Sequence, residues 1–383
     1  MFKHSNKYLF LSLALFGVLL LAGPAMAQNI ATRTPGRPTV DSAPQWTALF
    51  KRSSGWYGGD GIFTIPMGQD KTLFIFSDTM IGDTIGGQSH STMIHNSVAI
   101  LRGHTPSKDK LQFYWDTGST GQPQTPFTPK TPDTKPGDYY WLGAGFFNPV
   151  KKATYIFAYK MHNLDTHEDW SFTLTGTNLI VIPAGSTPPF KNHRQIVTPL
   201  SFQGISAEEK GTFGAGIYIA PDGYVYVYGI KGKAKTLLVA RVRGDSVEDF
   251  SRWRFWDGTT WNKDMQRSAP VTEGVSDELS VSPLPDGRYI LVFQQGGMSP
   301  SVAMRIGSAP WGPFGAATKI WECTESHENK NYFTYNAKAH PLLSSPGELL
   351  ISYNVNSFDF FKEIQKNPNL YRPRFIRLKL DGL

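Results

Sequence analysis

Two aspartates in the first quarter of the chain have the residue type and spacing of a catalytic carboxyl pair. Asp60 precedes a strand-like run, and Asp78 ends the run that follows a turn centred on Gln69. With that turn as pivot the two aspartates are cross-strand partners, with Cβ atoms about 4.5–5.5 Å apart. Like charges at this range raise the pKa of one carboxyl, giving the protonated and ionised acids of glycoside hydrolysis. The alternative is that each aspartate caps a strand end.

Asp60 also differs from its counterparts in an internal repeat. The segment Gly59-Asp60-Gly61 recurs as Gly143-Ala144-Gly145 and as Gly214-Ala215-Gly216. Repeated glycines indicate a crowded place where backbones converge. A carboxylate in such a place costs desolvation energy unless it is paired or used. The substitution of alanine by aspartate in one copy therefore favours a functional role for Asp60.

Further residues next to predicted strand starts are candidates for substrate binding. Polar and charged side chains there could bind sugar hydroxyls, and tryptophans could stack on sugar faces. The candidates are His95, Asn96, Asp277, Glu278, Asn336, Lys338, Trp56 and Trp141. Glu278 could also act as a third carboxyl, and Lys338 could neutralise the acids or bind an anionic sugar. An ordinary structural role is the alternative for each of them.

Other chemistries find less support in the sequence. His162, His167, Glu168 and Asp169 share a loop, but their spacing fits no standard metal site, so we expect neither a metal nor a cofactor. Cys323 is the only cysteine, which excludes an internal disulfide, and we expect it to be a buried apolar side chain. The Gly-x-Ser-x-Gly motif of serine hydrolases is absent from the sequence.

Five predicted hairpins would position these residues. Alternating apolar runs flank turns near residues 69, 150, 222, 286 and 346, and third strands are predicted over 236–243 and 301–307. A recurring unit of this kind predicts an all-β fold, a five-bladed β-propeller, in a single domain over residues 46–383. A β-sandwich with a second small domain is the alternative. Residues 105–138 are rich in Pro, Thr and Lys and are expected to form a long loop between blades.

The N-terminus has the pattern of a secretory signal peptide over residues 1–27. Lys3 and Lys7 precede an apolar run from Leu9 to Leu21, and Ala25-Met26-Ala27 is a cleavage site of the A-x-A type. We expect an exported protein, periplasmic or extracellular, with a flexible extension over residues 28–45 and no membrane anchor after cleavage. The formal net charge of +7 comes without a long Lys/Arg run, which argues against a nucleic-acid partner. A monomer is expected.

The hairpin plan, the Gly-Asp-Gly strand start and the Phe-Ser-Asp-Thr strand end resemble the five-bladed β-propeller glycoside hydrolases. Within that group the chain is most similar to a former domain-of-unknown-function family of secreted bacterial proteins that includes endo-D-arabinanases. In that family the two aspartates of these motifs are tied to catalysis, and the resemblance carries this role to Asp60 and Asp78. The long insertion over residues 105–138 departs from the pattern and puts the substrate's identity in doubt.

The sequence therefore favours a secreted glycoside hydrolase that cleaves a polysaccharide, as an endo-acting arabinanase-like enzyme. The sequence does not decide which aspartate is the acid, but Asp60, held between glycines, is favoured as the nucleophile or base. The short separation predicted for the pair favours retention of anomeric configuration. A non-catalytic glycan-binding propeller and an exo-acting glycosidase are the alternatives.

Overall fold

The computed structural model describes residues 38–86, 88–164 and 171–381. The predicted signal peptide and its cleavage site lie outside these residues, as do His167, Glu168 and Asp169. Within the described part of the chain, no helix has the length and apolar character needed to span a membrane.

The N-terminal part of the described chain is built mainly from short strands. Its elements are β1 (Val40–Ser42), α1 (Pro44–Leu49), β2 (Ser54–Gly59), β3 (Phe63–Gly68), β4 (Lys71–Phe76), β5 (Thr79–Ile85), β6 (Gln88–Ile94), β7 (Ser97–Arg102), β8 (Leu111–Tyr114), β9 (Asp116–Thr117) and β10 (Pro123–Gln124). Pro44 is in the first turn of α1, where a missing N–H costs nothing.

Longer strands make up the middle of the chain. They are β11 (Asp138–Asn148), β12 (Ala153–Asn163), β13 (Phe172–Pro183), β14 (Arg194–Val197), β15 (Ser201–Phe202), β16 (Gly211–Ile219), β17 (Tyr224–Lys231), β18 (Thr236–Arg243), β19 (Arg254–Trp256) and β20 (Trp261–Asn262).

The C-terminal part continues the same plan. Its elements are β21 (Leu279–Pro283), β22 (Tyr289–Gln294), β23 (Ser301–Gly307), β24 (Thr318–Glu322), β25 (Tyr332–Ala339), β26 (Glu348–Ser357), α2 (Phe360–Lys366) and β27 (Arg374–Lys379). Short 3-10 helices lie at Lys108–Lys110, Gly244–Ser246, Phe250–Arg252, Met265–Arg267, Thr324–His327 and Pro341–Leu343.

Five sheets of four or more strands dominate the described residues, and all their pairings are antiparallel. Their strand orders are β3-β4-β7-β8, β11-β12-β13-β14, β15-β16-β17-β18-β19-β20, β21-β22-β23-β24 and β1-β27-β26-β25. Each sheet contains one of the five predicted hairpins, and the predicted third strands are β18 and β23. The all-β prediction is confirmed.

The core is divided among the spaces between neighbouring sheets. One apolar cluster lies between each sheet and the next along the chain, and a further cluster joins the last sheet to the first, with Phe74 packed alongside Leu350 and Phe375. Phe50 of the α1 end stacks on Phe375 with ring centroids 5.5 Å apart. The sheets therefore pack in a closed, propeller-like ring, and they do not form the two stacked sheets of the alternative sandwich.

The N-terminal strand closes this ring, which corrects one expectation. Residues 28–45 were expected to form a flexible extension, but Val40–Ser42 pairs with β27 as the edge strand of the last sheet. Ala43 N–H also donates to Phe375 O at 2.9 Å. Tertiary pairing overrides the polar, Pro-rich local composition here, because β27 would otherwise present an open edge.

A chain that begins at Pro44 should therefore be less stable than one that begins at Pro38. Loss of β1 removes its hydrogen bonds to β27, at about 1 kcal/mol each, so we expect the free energy of unfolding to fall by about 2–4 kcal/mol. Urea unfolding of the two chains measures this. Equal midpoints would contradict the closing role of β1.

Candidate active site

A cavity of about 980 Å³ lies at the end of the sheets where their first strands begin. All five large sheets, or the segments joined to them, contribute side chains to it. Asp60, Glu278 and Asn336 line it together, as the alignment of the internal repeat predicts. Ala215, the counterpart of Asp60 in the third copy, is on the same wall. The repeat thus brings chemically different residues to equivalent positions around one space.

The backbone holds Asp60 and Asp78 opposite one another, in the register that the sequence predicts. Strands β3 and β4 pair Phe63 with Ile75, and β2 and β5 pair Gly59 with Thr79, so the same register on both sides places Asp60 across from Asp78. Asp60 N–H donates to Asp78 O at 3.3 Å, and Ser77 N–H donates to Asp60 O at 2.9 Å. The turn at Gln69 and Asp70 has positive φ at both residues, as the two-residue hairpin turns that suit strand twist require.

Crowding explains why the segment around Asp60 needs glycine. Gly61 has φ +68°, and a Cβ there would lie 2.7 Å from Ser77 Oγ. That hydroxyl accepts Leu142 N–H at 2.9 Å and so connects the first sheet to β11 of the second. In the second repeat copy, a Cβ at Gly143 would lie 2.7 Å from Tyr159 Oη. The glycines permit the close approach of neighbouring sheets on which the position of Asp60 depends.

The Asp60 carboxyl is desolvated and has one oxygen without a protein partner. Tyr335 Oη donates to its Oδ2 at 2.7 Å, and the Tyr371 hydroxyl lies nearby. Oδ1 is buried and has no hydrogen-bond partner among the described residues. Burial first, and then the negative charge of Asp78, raise the pKa of Asp60 to about 7, against the opposing effect of the Tyr335 and Tyr371 hydroxyls. Asp60 therefore retains a proton under conditions where ordinary aspartates are ionised.

Asp78 is oriented by a histidine on the opposite side of the pair. His95 Nδ1–H donates to Asp78 Oδ1 at 3.1 Å. The His95 ring stacks on Tyr139 with centroids 3.9 Å apart. This stack fixes the imidazole, and the imidazole in turn fixes one carboxylate oxygen. The other Asp78 oxygen remains available to a ligand in the cavity.

Glu278 is a further carboxyl of the cavity and is paired with a buried lysine. Lys338 Nζ lies 2.6 Å from Glu278 Oε2, and Asn336 Nδ2 donates to Oε1 at 2.9 Å. Burial raises the pKa of Glu278, and the Lys338 charge opposes that shift. Lys338 Nζ also lies 4.8 Å from the centroid of the Phe63 ring. A buried charge paired in this way is a fixed part of the site.

The structure places five of the eight predicted binding residues around the cavity, namely His95, Trp141, Asp277, Glu278 and Asn336. The Trp141 ring packs edge-on against Phe172 at 4.7 Å. Asp277 lies at the mouth, where both of its oxygens contact Lys235 Nζ at 2.7–2.8 Å. That pair is exposed to solvent and contributes little energy.

Three predicted binding residues do not line the cavity. Trp56 is buried in the core, where it stacks on Phe113 at 4.6 Å, because its side chain points to the other face of β2. Asn96 is buried too, and its side chain bonds to the backbone of the long insertion at Phe127. Lys338 lies behind the wall and contacts Glu278. His95 and Asn96 lie in the connection between β6 and β7, and only the first of them faces the cavity.

Three tyrosines of the site were missed by sequence reasoning. Tyr335 and Tyr371 contact Asp60, although they are far from it along the chain. Tyr159 lines the same cavity, and its Oη is buried with no hydrogen-bond partner among the described residues. Tyr335 precedes a residue already singled out, Asn336, and that adjacency was the available signal. Tyr371 lies outside regular structure and offers no pattern.

Metal binding has little support in the described ranges. Residues 38–86, 88–164 and 171–381 contain no group of three or more His, Cys, Asp or Glu side chains placed to hold an ion. His162 Nδ1 lies 2.8 Å from Asp138 Oδ1. Cys323 is buried, and burial raises the pKa of its thiol to about 12. That thiol is therefore a weak nucleophile.

Comparison with known proteins gives a family and a shared fold. A family model described as a domain of unknown function, DUF5005, matches residues 43–380, and the chain belongs to that family. No curated protein matches the chain. A Bacteroides ovatus protein, itself only proposed to be a hydrolase, has a similar structure, with a TM-score of 0.70 and 20% identity over 88% of this chain and 90% of its own.

Two solved glycosidases are more distant. The α-L-arabinofuranosidase PaAbf62A from Podospora anserina has a TM-score of 0.49 and 12% identity, over 86% of this chain and 93% of its own. An endo-arabinase from Bacteroides thetaiotaomicron has a TM-score of 0.44 and 12% identity, over 85% of this chain and 96% of its own. The family's description states no activity, so arabinanase activity remains a proposal.

The two neighbours His95 and Asn96 should respond differently to replacement by alanine. Asn96→Ala removes buried hydrogen bonds to the backbone of Phe127, and we expect a loss of about 2–4 kcal/mol in the free energy of unfolding. His95→Ala serves as the matched control and should cost less than about 1 kcal/mol. Urea unfolding compares them. Similar losses in both would contradict the structural role of Asn96.

Asp60→Asn should change the pH dependence of stability. Because the folded-state pKa of Asp60 lies above its unfolded value, its contribution to stability is full below about pH 4 and is lost as pH rises through about 7. Asparagine does not titrate, so the variant does not lose stability in this way. Its free energy of unfolding relative to the wild type should therefore rise between pH 4 and pH 8, by at most about 4 kcal/mol.

Denaturant unfolding at several pH values measures this difference. Asp277→Asn, at the exposed mouth of the same cavity, is the matched control and should show a much smaller trend. A pH-independent difference between Asp60→Asn and the wild type would contradict the desolvated state of Asp60.

Proposed function

We propose that this chain is a glycoside hydrolase that acts on a polysaccharide with Asp60 and Asp78 as its catalytic carboxyls. The observation that carries the proposal is a cavity in which a buried aspartate, whose pKa is raised to about 7, lies opposite a second aspartate. Glycosidic bond cleavage needs one carboxyl to supply a proton and another to act as nucleophile or base. A site that only bound a glycan would not need two crowded acids, since amides and aromatic rings suffice.

The surroundings of the two aspartates favour Asp60 as the acid. Its Oδ2 accepts the Tyr335 hydroxyl, so the acidic proton belongs on Oδ1, the oxygen without a protein partner. From there the proton can pass to the glycosidic oxygen of a bound chain as the bond breaks. Asp78, held by His95, then serves as nucleophile or base. This assignment reverses the expectation from sequence, which favoured Asp60 as the nucleophile or base. The reason is that the surrounding sheets bury Asp60, and burial raises the pKa of its carboxyl.

The finer parts of the proposal concern fold and substrate. The closed packing of the five large sheets supports five blades, with β1 and β27 joined in the last one. The Gly-Asp-Gly and Phe-Ser-Asp-Thr motifs support an endo-acting, D-arabinanase-like activity on an arabinofuranose polymer. Export directed by a signal peptide at residues 1–27 would bring the enzyme to such a polymer. Retention of configuration, expected from the cross-strand register, stays a prediction.

Asp60→Asn and Asp78→Asn should each lower the hydrolysis of the substrate polysaccharide by about 100-fold or more, since each removes a group that transfers a proton or attacks carbon. The wild-type rate should fall as pH rises above about 7, where Asp60 loses its proton. Incubation with a panel of D- and L-arabinans, followed by chromatography of the products, measures both.

Asp222→Asn, in the exposed β16–β17 turn, is the control and should keep full activity. Near-wild-type turnover by either site variant at unchanged melting temperature would refute the carboxyl-pair mechanism. Glycan binding by the wild type without any product would support the non-catalytic alternative, and release of single sugars alone would support exo action.

A further inference from the structure

The long insertion over residues 105–138 departs from the family pattern, yet it does not line the cavity. All of its residues are within the described part of the chain, and none of them is among the residues that surround the cavity. The lining passes from His95 directly to Tyr139. The insertion reaches the site instead through the connection between β6 and β7, which consists of His95 and Asn96.

Hydrogen bonds attach the insertion to both residues of this connection. The backbone N–H of His95 donates to Thr125 Oγ1 at 3.1 Å. The side chain of Asn96 bonds to both backbone groups of Phe127, accepting from its N–H at 3.1 Å and donating to its carbonyl oxygen at 2.9 Å. Two attachments at successive residues fix the direction of the connection as well as its position.

The part of the insertion that makes these contacts is itself fixed to the second sheet. Phe127 is fully buried. Gln195 of β14 bonds twice to the insertion backbone: its Oε1 accepts from Lys130 N–H at 2.8 Å, and its Nε2 donates to Thr128 O at 2.8 Å. The hydroxyl of Thr125, two residues before Phe127, is therefore presented to His95 by a firmly anchored segment.

The contact at Thr125 continues through His95 to the candidate catalytic carboxyl. His95 Nδ1–H donates to Asp78 Oδ1 at 3.1 Å, and Tyr139 stacks on one face of the imidazole. Two side-chain torsions separate the His95 backbone from Nδ1, and the stack restricts both of them. The position of the His95 backbone therefore sets the position of the donor that holds Asp78.

We propose that Thr125 is a positioning residue for Asp78, and that the insertion serves the chemical step and not the selection of substrate. The inference rests on the proposed function in treating Asp78 as a catalytic carboxyl. Loss of the Thr125 hydroxyl leaves the His95 N–H without its acceptor, so the connection and its imidazole shift. Misplacement of a catalytic group by about 1 Å can lower a rate about 100-fold. Substrate binding is spared, because the insertion does not line the cavity.

Steady-state kinetics of two Thr125 variants test the proposal. Thr125→Val replaces the hydroxyl by a methyl group of similar size. On the arabinan that the wild type hydrolyses, we expect kcat to fall at least about tenfold while KM stays within about twofold. The ratio of rates on D- and L-arabinans should not change. Thr125→Ser retains the acceptor and should recover most of the wild-type kcat.

Thr47→Val is the matched control, because it removes the same kind of hydrogen bond far from the cavity. Thr47 Oγ1 accepts the backbone N–H of Phe375 at 3.0 Å, and both residues lie outside the cavity lining. This variant should keep kcat within about twofold of the wild type. An equal loss of kcat in Thr47→Val and Thr125→Val, or a change in KM or substrate preference at constant kcat in the latter, would overturn the proposal.

A spectroscopic measurement reports on the position of His95 without any hydrolysis. In a chain labelled with ¹⁵N-histidine, the His95 signals are identified at pH 8 by their loss in His95→Gln. The wild type should show a protonated Nδ1, because the partner of a ring nitrogen sets the tautomer. Thr125→Val should lose this preference, whereas Thr125→Ser and Thr47→Val should retain it.

The two measurements separate this inference from the proposed function. An unchanged His95 signal in Thr125→Val would overturn the positioning role, even if the wild type hydrolyses arabinan. A changed His95 signal in a protein that hydrolyses none of the arabinans would contradict the proposed function alone.

Discussion

Backbone crowding at the centre of the ring is the constraint on which the rest of the structure depends. The first strands of neighbouring sheets approach so closely that Gly61, Gly143 and Gly145 have no room for a Cβ atom without displacement of a neighbour. Because the sheets meet there, the residue between two such glycines can face the shared cavity, as Asp60 and Ala215 do in the first and third copies. The alanine offers no chemistry there, whereas the aspartate offers a carboxyl.

Placing a carboxyl at this point has electrostatic consequences. The sheets exclude water from Asp60, and Asp78 adds a like charge, so the proton stays on Asp60. Tyr335 satisfies one of its oxygens, and the other has no hydrogen-bond partner among the described residues and is left for a ligand. In the proposed reaction, the same desolvation that costs stability supplies the proton donor, as is common where function and folding compete. Glu278 shows the opposite solution, a buried carboxylate neutralised by Lys338.

The sequence by itself determined the local features of this protein. Turn residues and alternation predicted the hairpins, and the register through Gln69 predicted that Asp60 faces Asp78, because these depend on residues close together along the chain. The tertiary structure alone decided which neighbours face the cavity. It turned Asn96 and Trp56 into the core, brought Tyr335 and Tyr371 to Asp60 across 275 or more residues, and used β1 to close the ring. Such placements depend on how the sheets pack together, and no local pattern in the chain encodes that packing.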